Sequence, residues 1–249
     1  MLRVLSTIII FPLAFTLLSC SSAEKLDTNT PEGAYNLALK YEKDERYEEA
    51  ITYFSEVKNK YPYSRFATEA ELKIGDIEFS RENYVEAESA YKLFREFHPI
   101  HPRTDYVTYR LGISVFNQLP PTIDRDLKLA TTAIEYFDQV VTGHPQSSFV
   151  KDAGEYKKKC QQMLADKAYS IANFYFIRKK WESSLGRFED LIKSYPSLGY
   201  DAKALWRASI SAYRMKDLEK SKTYFKRLLT EHPNSPELAS ARNELANGF

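Results

Sequence analysis

The sequence predicts an all-α chain built as a solenoid of five helix-turn-helix repeats with a C-terminal capping helix. Three observations predict it. A skeleton of landmarks recurs: Tyr47, Ala50, Phe54, Val57 and Tyr61-Pro62 return as Tyr84, Ala87, Tyr91, Phe94 and His98-Pro99. They return again as Ala133, Phe137, Val140 and His144-Pro145, as Trp181, Ser184, Phe188, Leu191 and Tyr195-Pro196, and as Leu218, Ser221, Phe225, Leu228 and His232-Pro233. Internal repetition on this scale is the signature of stacked supersecondary units. Each copy ends on an aromatic or His followed by Pro, a residue that cannot continue a helix. Finally, 8 Gly stand against 18 Tyr and 15 Phe, a balance suited to packed helices whose large side chains lock neighbouring turns.

The elements follow in order. Thr30-Pro31-Glu32 opens the first helix with a capping hydroxyl, a proline in the first turn and an acid at the positive end of the helix dipole. That helix runs to about Lys43 with Ala34, Leu37, Ala38 and Tyr41 on one stripe. The second, Tyr47 to Lys60, turns Ala50, Phe54 and Val57 inward. Small Ala38 facing small Ala50 lets the pair approach closely, with Phe54 filling the space beside them; this is the tetratricopeptide (TPR) pattern. Gly75 and Ala87 repeat the small pair, and Gly112 does so with Ala133, which follows 21 residues later where the first repeat needs 12. The surplus is expected as a loop around Gln118 to Asp124, because Pro120-Pro121 stops a helix near Asn117. Asp124 is the expected cap of the helix after it.

Ser148 to about Lys179 contains no Pro and reads as one long helix whose buried stripe is Met163, Ala168, Ile171, Ala172 and Tyr175, with Cys160 an inert packed thiol. The last repeat runs from about Gly199 to Glu231, and Ser235-Pro236-Glu237 starts a cap carrying Leu238, Ala241 and Leu245. The expected divisions are a signal peptide over 1–19, a tether over 20–30 and a five-repeat domain over 31–249. Within it the repeats are 31–62, 63–99, 102–145, 147–196 and 199–233, and the cap is 235–247.

The amino terminus reads as an address. Arg3 precedes an apolar run from Val4 to Leu18, too short for a comfortable membrane span, and Leu17-Leu18-Ser19-Cys20 resembles the bacterial lipobox. Cys20 is then the lipid-bearing first residue of the mature chain, and with no Asp beside it the expected location is the periplasmic face of an outer membrane. Several acyl chains on one cysteine anchor firmly, since each buried methylene contributes about 0.8 kcal/mol.

Without Arg3, the 35 basic residues become 34, matching the 34 acidic ones. A neutral, mixed surface excludes nucleic acid as the main partner, because phosphate binding needs a concentrated basic face. There is no Gly-rich phosphate loop, Gly-x-Ser-x-Gly or His-Glu-x-x-His, so no enzyme is expected and no cofactor beyond the lipid. His98 and His144 stand where Tyr61 and Tyr195 stand in other repeats, which makes packing, not metal binding, their expected role. First helices of such repeats line the concave side. Counting from the small landmarks places Tyr35, Leu39 and Glu42, then Leu72, Asp76 and Phe79, then Tyr106, Tyr109, Ile113 and Phe116 on that surface. Apolar groups along an extended groove suit a peptide with clustered aromatics.

One segment breaks the repeat pattern: His98-Pro99-Ile100-His101-Pro102-Arg103-Thr104-Asp105-Tyr106-Val107-Thr108-Tyr109-Arg110-Leu111-Gly112. It resembles the hallmark string of the BamD family of outer-membrane assembly lipoproteins, HPxHPxxDYxxYxxG. So do Asp124-Arg125-Asp126, the long helix with Tyr169-Ser170-Ile171-Ala172 and Tyr175, and Trp181. The similarity spans roughly residues 20 to 230. The resemblance implies a non-enzymatic subunit of the machinery that inserts β-barrel proteins. Its amino-terminal repeats would hold targeting strands of unfolded outer-membrane proteins, its later repeats would dock on the periplasmic domain of BamA, and accessory Bam lipoproteins would attach alongside. Arg187 is implied as the BamA contact, where a guanidinium pairs with a carboxylate better than an ammonium does. The alternative is a periplasmic TPR adaptor for envelope division or peptidoglycan enzymes, which would share the lipobox and repeats but has no use for the segment from His98 to Gly112.

Overall fold

The computed structural model describes residues 27–246. The expected signal peptide and the lipidation of Cys20 lie outside them. Eleven helices follow one another with no strand among the described residues. They form five antiparallel pairs: α1 (Pro31–Lys43) with α2 (Tyr47–Lys60), α3 (Arg65–Ser80) with α4 (Tyr84–Phe97), and α5 (Thr104–Asn117) with α6 (Lys128–Gly143). After them come α7 (Val150–Ile177) with α8 (Trp181–Ser194), α9 (Asp201–Arg214) with α10 (Leu218–Glu231), and the cap α11 (Pro236–Leu245). The architecture is a solenoid of helical repeats. Along the stack the first helices approach one another, α1 to α3, α5 to α7 and α7 to α9. The second helices of successive pairs make no comparable approach among the described residues. The first helices therefore sit on the tighter, inner side of the curve.

Local chemistry sets the boundaries. Thr30 caps α1, its Oγ1 accepting from the Gly33 amide at 3.1 Å, and Ser235 caps α11 through the Leu238 amide at 3.3 Å. Each second helix ends in the same way. Tyr61, His98, His144, Tyr195 and His232 all adopt φ between −128 and −136° and ψ between 53 and 58°. Each donates its amide to the carbonyl four residues back. The proline that follows pushes the residue before it out of the helical region, which makes this repeated exit a local consequence of sequence. The turns inside pairs one, two, four and five each hold a non-glycine residue at positive φ: Glu45, Glu82, Lys179 and Lys216, between 56 and 67°.

The core sits between the helices of each pair. Ala38 and Ala50 are fully buried beside Phe54. Gly75 and Gly112 let the helices of their pairs close on a ring: a Cβ on Gly75 would lie 2.9 Å from the Tyr91 ring, and one on Gly112 would lie 2.6 Å from the ring of Phe137. In the fifth pair Ser221 Oγ donates to the Ser209 carbonyl at 2.9 Å, so two small hydroxyl residues replace the alanines without an orphaned group.

Two expectations need correction. Asp124 does not cap α6; its carboxyl is held below the usual range chiefly by a hydrogen bond from Thr122. Asp126 takes the Lys128 amide at 2.9 Å, because burial of Leu127 fixes where the helix begins. The stripe of α7 also differs. Ala153, Cys160, Ala165 and Ala172 are its buried residues, while Ile171 is exposed. This helix packs against α6 with its first half and α8 with its second, so its buried face is narrow and takes small residues. Cys160 is a free buried thiol pushed up to about 12 by burial.

Candidate functional site

On the inner side of the first three pairs, α1, α3 and α5 bring most of the expected groove residues together. Tyr35 lies half-buried, its ring 5.3 Å from Phe54 and 5.4 Å from Phe66. Burial first, then the nearby carboxylates of Glu69 and Glu42, push its hydroxyl up to about 12. Leu39 packs at the edge of the same cluster, and Glu42 takes an ion pair from Lys73 at 2.9 Å.

Asp76 is the polar centre of the groove. One of its oxygens accepts from both the Tyr91 and the Tyr106 hydroxyls, each at 2.7 Å. Arg110 Nε donates to the Tyr106 hydroxyl at 2.9 Å, and its guanidinium stands 4.2 Å above the Phe79 ring. Arg103 covers the other side, 4.8 Å from the Tyr106 centroid and 3.9 Å from Asp76. Burial and the Asp76 hydrogen bond both raise the Tyr106 hydroxyl, and burial raises Tyr91 further. These phenols stay neutral and donate, which fixes their rings at set positions.

The third helix continues the row. Tyr109 stacks on Phe149 with centroids 4.9 Å apart and an interplanar angle of 17°, and Phe116 meets Tyr156 edge-on at 5.0 Å. Asp105, at the start of α5, accepts from Ser147 Oγ at 2.6 Å, which ties this helix to the turn leading into α7. Tyr35, Leu39, Asp76, Phe79, Tyr106, Tyr109 and Phe116 thus remain partly open.

Leu72 and Ile113 are different. They are 1% and 6% exposed, so neither offers surface to a peptide. Each lies on the side of its helix that the next pair covers: Leu72 packs with Val107 and Leu111 of α5, and Ile113 with Ala153 and Cys160 of α7. Position along one repeat shows which face is inward but not how far its successor overlaps it. Reading the repeats one at a time also missed Arg103, Arg110, Phe149 and Tyr156. The cation spacing in Arg103-Thr104-Asp105-Tyr106 and Tyr106-Val107-Thr108-Tyr109-Arg110 could have flagged the two arginines, since i and i+3 or i+4 positions share a helix face.

Arg187 lies well away from the groove in sequence, exposed on α8 and with no ion pair among the described residues. It borders a shallow hollow with Leu164, Ala168, Ile171, Asp190 and Tyr195. Along α7 beside it the apolar side chains Ile171 and Phe174 are exposed, and Arg178 covers the Phe174 ring at 3.6 Å. The hollow combines the apolar side chains Leu164, Ala168 and Ile171 with the charges of Lys167, Arg187 and Asp190.

The imidazoles of His98 and His101 both pack on Phe94, at 4.9 and 5.1 Å. His98 Nε2 bonds Glu71 at 2.8 Å. Among the described residues no group of three His, Cys, Asp or Glu side chains could hold a metal ion. No described helix is long and apolar enough to cross a membrane.

A tetratricopeptide repeat profile matches residues 203–235. The outer membrane protein assembly factor BamD of Neisseria gonorrhoeae is 27% identical over 205 residues, which is 78% of this chain and 76% of that protein. BamD of Rickettsia prowazekii is 25% identical over 202 residues, covering 81% of this chain and 80% of its own. Among solved structures, the TPR2AB domain of yeast Sti1 in its pHSP90 complex covers 86% of this chain and 84% of that chain at 15% identity, with a TM-score of 0.42. The profile of the YfiO family, described as outer membrane lipoprotein, matches residues 27–215. That match takes in all five first helices and the segment from His98 to Gly112, and on it the chain belongs to the YfiO family of outer membrane lipoproteins.

Proposed function

We propose that this chain is a lipid-anchored, non-enzymatic subunit of the machinery that assembles β-barrel proteins in the outer membrane. In this reading Cys20 carries the lipid and the solenoid stands on the periplasmic side. Its first three pairs hold the targeting strand of an unfolded outer-membrane protein. Its later pairs dock through Arg187 on the periplasmic domain of BamA, and accessory Bam lipoproteins bind beside it.

The observation that carries the client role is the row of partly open aromatics, Tyr35, Phe79, Tyr106, Tyr109 and Phe116, set around the Asp76 hydrogen-bond centre. Rings fixed by hydrogen bonds and stacking lose little freedom when a peptide arrives, so their apolar faces are available at low entropic cost. Alternating side chains of an extended strand can rest on such a row, with Arg103 and Arg110 beside it for polar groups of the strand. Arg187, which has no ion pair among the described residues, is suited to a bidentate pair with a carboxylate on another subunit.

Binding of a synthetic peptide copying the last strand of a barrel protein tests the groove. Phe79→Ala and Tyr109→Ala should each weaken it about tenfold, equivalent to about 1.4 kcal/mol. Tyr106→Phe, which keeps the ring, should weaken it less. Unchanged binding in both alanine variants would remove the groove assignment. Arg187→Glu should reduce co-purification with BamA while leaving the circular dichroism spectrum as it is; normal co-purification would refute that contact.

A further inference from the structure

A second surface lies on the outer side of the solenoid, where the row of aromatics does not reach. The second helices of adjacent pairs stand apart there, and the space between them is floored by the first helix of the later pair. Two of the other intervals are bridged by the chain's own polar side chains. Between α4 and α6, Arg95 donates to Gln139 at 2.8 Å and lies 5.2 Å over the Tyr136 ring. Between α8 and α10, Glu189 accepts from Lys220 at 3.1 Å and from the Tyr224 hydroxyl at 2.7 Å.

The interval between α2 and α4 is different. Among the described residues it is crossed only at its end, where Arg81, in the turn between α3 and α4, pairs with Glu48 of α2. The rest is a groove of about 420 Å³ floored by Ile74 of α3 and walled by apolar side chains of α4. Val85, Leu93 and Phe97 are 58, 53 and 67% exposed, and all three line it. With Ser89 they fall at four-residue intervals on one face of α4, a stripe of about 18 Å at 1.5 Å per residue. Isolated exposed apolar residues are common, but three aligned along one groove mark a contact surface.

Charge identifies the occupant. Glu71, Glu78 and Glu86 border the groove, against the single cation Lys58. Glu71 already holds His98 and Glu78 holds Asn83 and Arg81, while Glu86 is exposed and has no ion pair among the described residues, which leaves it as the open acid of the groove. We propose that this groove receives an amphipathic helix of about three turns from another protein, with Leu- or Phe-type residues at four-residue spacing and Lys or Arg along its edges. Such a helix lies between α2 and α4 as an additional layer, its apolar face on Leu93 and Phe97 and its cations over the glutamates. The proposal does not depend on the client groove.

The probe is a labelled 14-residue peptide with Leu and Phe at four-residue spacing and Lys on the flanks. It is compared with a twin in which Glu replaces each Lys and another with the same composition in scrambled order. Fluorescence anisotropy with the full chain should show saturable binding that weakens at least tenfold for the Glu twin, for the scrambled peptide and for Leu93→Asp. Tyr109→Ala, in the other groove, should leave it unchanged. Leu93 is exposed, so its substitution should not unfold the chain, and Phe97→Ser gives a second variant. Absence of binding, equal binding of the scrambled peptide, or binding that Leu93→Asp and Phe97→Ser leave intact would overturn the proposal. Self-association of the chain in sedimentation equilibrium, lost in Leu93→Asp, would also overturn it by making a second copy the occupant.

Discussion

Replacing Gly112 by alanine joins the core to the groove in one measurement. A methyl group there would sit 2.6, 2.8 and 3.0 Å from three atoms of the Phe137 ring. Phe137 is fully buried and has no open side toward which to move. Alanine in a helix interior is favoured over glycine by about 1 kcal/mol, while forcing a methyl into a filled core costs about 1–3 kcal/mol. With the contact this short the cost falls in the upper part of that range, and the net effect is a loss of about 1–2 kcal/mol. For a chain of this size that lowers the thermal midpoint by about 2–8 °C. The displacement also has a route to the groove. Phe137 stacks on Tyr156 at 5.7 Å and lies 6.4 Å from Tyr109, so the Tyr109 and Phe116 surfaces shift with it. Gly112→Ala should therefore weaken the strand peptide as well as lower stability in urea. Gly154→Ala is the control: it lies in α7 with nothing within 4 Å of the added methyl, and should raise stability by about 0.5–1 kcal/mol. Equal or greater stability of Gly112→Ala would show that the ring yields freely and refute the reasoning.

The remaining predictions concern pH and the turns. Tyr35 and Tyr200 are pushed up to about 12 mainly by burial, and Tyr91 and Tyr106 are raised as well. An unfolded tyrosine ionises near pH 10, so the stabilising contribution of all four is complete below about pH 10, and that of Tyr35 and Tyr200 is lost as pH rises through about 12. Thermal melts across pH 8–12 should show a midpoint that falls from about pH 10 upward, and a flat profile would contradict the assignment. Lys216 holds φ at 67°, a region that costs an ordinary side chain about 1–2 kcal/mol, partly offset by the larger unfolded-state entropy of glycine. Lys216→Gly should raise the urea midpoint, with a net gain of roughly 0.5 kcal/mol, and a lowered midpoint would count against strain at that turn.

Spacing by itself determined the repeat count, the small pairs at the helix crossings and the position of every helix end before a proline. These are local matters: a small residue every repeat fixes where two helices can touch, and a proline fixes where one must stop. The same landmarks located Tyr35, Phe79, Tyr106, Tyr109 and Phe116 on the inner face, because helical period alone puts a residue on a face. What they could not determine was coverage by the following pair. Leu72 and Ile113 share the inner face yet are sealed by α5 and α7, and Ile171, expected inside, faces out because α7 packs mainly on α6 with its first half and on α8 with its second. Tertiary structure also decided which groups surround Asp76. It brought Tyr91 from α4, Tyr106 and Arg110 from α5 and Arg103 from the turn before α5 to one carboxylate. No pattern within a single helix encodes that meeting, since hydrogen bonds across three helices depend on the rise and twist of the stack, which only the packed repeats set.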